Sequence, residues 1–86
     1  MATLHTVNRV SALASCLQTA ADDDSILLIE DGVYAATQPQ PRALLAIDVD
    51  VQARGISSRL TENTKVIGYA EFVELTVQHN PIVTWC

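Results

Sequence analysis

Two thiols, two imidazoles and two acidic clusters are the side chains of this sequence that could do chemistry. The thiols are Cys16, in Ala14-Ser15-Cys16-Leu17, and Cys86. The imidazoles are His5 and His79; the acids are Asp22-Asp23-Asp24 and Glu30-Asp31. A thiolate can attack a persulfide and hold sulfane sulfur as Cys–S–SH. That needs partial exposure and a pKa lowered by a cation or a helix N-terminus. Cys16 is the candidate carrier. No cation lies one turn away in sequence, and Arg9 is the cation to look for in space. A purely structural Cys16 is the competing reading. Cys86 carries no expected role. His5 reads as a satisfied core histidine and His79 as a helix-end cation. The spacing supports no Cys–His pair and no metal site. Adjacent Asp22–Asp24 point in different directions and read as a solvated turn. Glu30 and Asp31 could act as acid and base, but a turn with Asp31 capping the next helix is the simpler reading. No phosphate loop exists, because Gly32, Gly55 and Gly68 are far apart. No cofactor is called for.

These residues must be positioned by a single small domain spanning residues 1–86. About half the chain (49%) is apolar and 17% is charged, which argues against disorder. The net charge is −5, and the five cations, Arg9, Arg42, Arg54, Arg59 and Lys65, form no stripe. Direct nucleic-acid binding and attachment to acidic membranes are therefore not expected. No apolar run approaches the roughly 18 residues that span a bilayer, and the opening residues do not read as a secretory signal. The expected location is the cytoplasm, with reduced thiols.

Strand and helix patterns alternate along the chain. Residues 3–8, 25–29, 42–47 and 64–68 read as strands, and residues 82–85 as a further short one. At about 100° per residue, Val10, Leu13, Ala14, Leu17, Ala20 and Ala21 share one helical arc over 10–21, with Cys16 at its margin. A short helix is expected over 33–36, a proline-bearing loop over 37–41, and a helix from an Asp48 cap to Arg54, stopped by Gly55. Residues 56–63 read as a polar connection. The last helix covers 69–79, with Tyr69, Phe72, Val73 and Thr76 as its core face and Leu75 and Val77 flanking it on opposite sides. That arc is wider than one sheet face needs, which points to a second packing surface, and so to self-association or a homologous partner. The pattern predicts a small three-layer α/β/α sandwich with a mostly parallel sheet of four or five strands. Its ligand-prone edge would lie at the strand C-termini.

Four segments, in order, resemble the DsrH/TusB family of sulfur-relay subunits: Leu4-His5-Thr6-Val7-Asn8-Arg9, Leu27 to Ala36, Asp50 to Gly55 and Tyr69 to Thr76, with Trp85 near the end. The resemblance implies a DsrE-like fold. It also implies assembly with DsrE/TusD-like and DsrF/TusC-like subunits as a heterohexamer with two copies of each. One branch of the family serves 2-thiouridine synthesis at the tRNA wobble position, the other sulfur oxidation. Cys16 lies where DsrH-type members carry a cysteine, which leans towards that branch. The relay's main accepting cysteine belongs to the DsrE/TusD-type subunit; here the turn after the third strand carries Asp48 instead. The expected role is a structural partner or a secondary carrier through Cys16. The alternative is a non-catalytic homodimeric interaction module without sulfur chemistry. An independent hydrolase-like enzyme at Glu30/Asp31 lacks a nucleophile–base pair.

Overall fold

A computed structural model describes residues 1–86. Five four-residue strands, β1 (Leu4–Val7), β2 (Ser25–Leu28), β3 (Leu44–Ile47), β4 (Thr64–Ile67) and β5 (Ile82–Trp85), form one sheet in the order β4-β3-β2-β1-β5. Every neighbouring pair is parallel. β2 is apolar at successive positions because both its faces are covered, the pattern of a parallel interior strand.

The strand order explains the layers. From β1 to β4 each crossover steps one strand in the same direction, and right-handed crossovers then place all three connections on one face. The connection from β4 to β5 runs back across the sheet, so it lies on the other. The first face carries α1 (Leu13–Thr19), a 3-10 helix at Glu30–Thr37 and α2 (Asp48–Ala53). The second carries only α3 (Tyr69–Gln78), whose Phe72 and Leu75 pack on Leu4, Leu27, Ile47 and Ile67. This is the predicted three-layer sandwich.

Several expectations are corrected in detail. The helix expected over 10–21 opens as a 3-10 turn, Val10–Ala12, before α1 begins. Asp31 caps nothing: Ile29 occupies the N-cap position of a helix that is longer than expected and 3-10 throughout. Asp48 is the first residue of α2 rather than its cap. Gly55 follows α2 at φ +64°, the left-handed conformation that a helix-stopping glycine adopts without strain. The polar connection over 56–63 hides one fully buried core residue, Ile56. On α3 the buried side is rotated towards Leu75: Tyr69 and Val73 are exposed, whereas Phe72, Leu75 and Thr76 are half-buried.

Gly32 is fixed by packing. A Cβ there would overlap the Val7 carbonyl oxygen, so the 3-10 helix can press on the end of β1 only through a glycine. Glu30, two residues before it, has φ +49°, and its N–H donates to Asp50 Oδ2 at 2.7 Å.

Candidate functional site

Cys16 lies in the interior of the crowded face. It is 0% exposed and belongs to the same core cluster as Leu13, Leu28 and Val33. The expected marginal position is therefore not what the fold produces. Burial pushes its thiol pKa above the ordinary 9.0; Arg42 opposes that shift and Asp24 adds to it. The nearby cation is thus Arg42 and not Arg9, whose guanidinium bonds Ser11. At neutral pH the group is a protonated, enclosed thiol, the form least suited to attack a persulfide. Cys86 is the exposed thiol.

Beside Cys16 lies a polar network with no local signal in the sequence. The Trp85 indole N–H donates to His5 Nδ1 at 3.0 Å. An indole nitrogen is only a donor, so Nδ1 must carry the lone pair and Nε2 the proton. Nε2–H in turn donates to Asp24 Oδ2 at 2.9 Å. Asp24 also accepts the N–H groups of Thr3 and Ala21, at 2.9 Å each. These bonds, His5 first and then the two backbone donors, hold the Asp24 carboxyl at about 2, below its ordinary 3.8. Asp24 is therefore no part of a solvated turn, although Asp22 and Asp23 are exposed. The network ties β1, the turn before β2, and β5 together. His5 is a satisfied core histidine, as expected, and with both nitrogens engaged it has no lone pair free to serve as a base for Cys16.

His79 is equally occupied. Its Nδ1 donates to the Leu75 carbonyl at 2.7 Å, closing the last turn of α3, and its Nε2 meets Ser25 Oγ at 3.0 Å. Glu30 and Asp31 lie at the strand C-termini, where Asp31 pairs with Arg54 at 2.9 Å and Arg54 also reaches Asp50 at 3.6 Å. This is an ion-pair brace rather than an acid–base pair. No three His, Cys, Asp or Glu side chains converge as metal ligands would.

The largest hollow is not at the expected edge. It measures about 560 Å³ and lies at the N-terminal ends of β2, β3 and β4, between Asp24, Arg42, Glu62 and Lys65. Its central cation is already spent: Arg42 donates to the carbonyls of Ala21 and Asp24, at 3.1 and 2.7 Å.

A parallel five-stranded sheet, helices on both faces and one enclosed thiol define a small three-layer α/β protein. The DsrH-like protein family matches residues 7–82. The TusB proteins of Yersinia pestis (strain Pestoides F) and Yersinia pseudotuberculosis (serotype O:1b, strain IP 31758) are each 34% identical over 82 residues, covering 85% of this chain and 86% of theirs. The chain belongs to the DsrH-like family.

Proposed function

We propose that this chain is a structural subunit of a cytoplasmic sulfur relay, assembled with homologous DsrE/TusD-like and DsrF/TusC-like subunits whose thiols carry the sulfur. Family membership supports a role as one sulfur-relay subunit among others. The observation that carries the structural assignment is the enclosure of Cys16, whose thiol is buried and held protonated. The TusB name of the relatives favours tRNA thiolation over sulfur oxidation as the pathway served. Cys16 does not by itself favour the DsrH branch, because core packing is reason enough for a small apolar side chain there. The scattered cations support delivery of sulfur through the partners, without direct contact with RNA.

The test is persulfide loading of the complex co-purified from the source organism. A mass gain of about 32 Da per transferred sulfur is expected on a partner subunit and not on Cys16. The complex carrying Cys16→Ser should still pass sulfur to its acceptor. An adduct on Cys16 within the assembled complex would overturn the structural assignment in favour of a secondary carrier.

A further inference from the structure

We draw no further inference here: the strongest candidate, the exposed apolar flank of α3 at Tyr69, Val73 and Val77, is an unpartnered surface patch, and nothing in the structure shows what covers it.

Discussion

On one face of the sheet, thirteen buried residues drawn from β1, β2, β3, α1, α2, the 3-10 segments and, at Ile56, the connection after α2 form a continuous core. On the other, four buried residues lie under the single helix α3. The strands are shared, so the difference comes from the connections. Crossovers that advance one strand at a time cover most of the first face, leaving only its edge open at Val66 of β4, 37% exposed. One long return crossover covers part of the second. The crowded face supplies most of the buried apolar core, and the sparse face leaves Tyr69, Val77 and Ile82 exposed. Cys16 lies on the crowded side, which is why a reactive residue type behaves there as a small core side chain.

The strongest way to break this comparison is the same deletion on both faces. Leu28→Ala removes a fully buried side chain among packed neighbours and should cost about 2–5 kcal/mol. Leu75→Ala removes a half-buried one and should cost about 1–2 kcal/mol. Urea midpoints at constant slope give both values. Equal losses would mean that the second face is no less a core than the first. Gly32→Ala comes next. Its added methyl meets the Val7 carbonyl oxygen, so β1 and the 3-10 helix must part, at about 1–3 kcal/mol. A variant as stable as the parent would show that this packing is loose.

Cys16→Ser tests the interior directly. A hydroxyl in an apolar enclosed site should cost about 1–3 kcal/mol, read as a lowered Tm. In the parent protein, a thiol reagent should modify Cys86 quickly and Cys16 only on unfolding. Rapid modification of both would move Cys16 out of the core and favour the carrier reading.

The sheet was legible in the sequence because β2 and β3 are short apolar runs ended by acids or their neighbours, and β1, β4 and β5 are short stretches rich in Thr, Val and Ile beside Asn, Gly or Pro, patterns local to their own residues. The faces of the helices were not, for two physical reasons. A 3-10 turn advances about 120° per residue, so the arc counted from Val10 at 100° starts out of phase. Val10 is consequently 50% exposed, while Ala12, Leu13 and Cys16 turn inward. For α3, Tyr69 and Val73 are apolar enough to claim the core face, and nothing in the chain says that Phe72 and Leu75 turn to the sheet in their place. Ile56 was hidden among polar neighbours. The Asp24–His5–Trp85 network joins residues 19 and 80 positions apart, beyond any local pattern.

That network sharpens the comparison, because β5 lacks a covering helix on the α3 side and is tied through Trp85 and His5 to Asp24 instead. The tie depends on an ionised Asp24. Its carboxyl pKa is about 2 in the folded chain, against an ordinary 3.8. A depressed carboxyl pKa means that the unfolded chain binds the proton first. The contribution is therefore complete above the ordinary value and is lost as pH falls from 3.8 towards 2. Urea midpoints should drop across that window, and the fluorescence of Trp85, the single tryptophan, should report the loosening of β5. Asp24→Asn should lower the midpoint at neutral pH and flatten the acid slope, since an amide keeps the shape but not the charge that draws three N–H donors. A variant whose acid slope matches the parent's would place the acid sensitivity elsewhere and leave β5 held by its ladder to β1 alone.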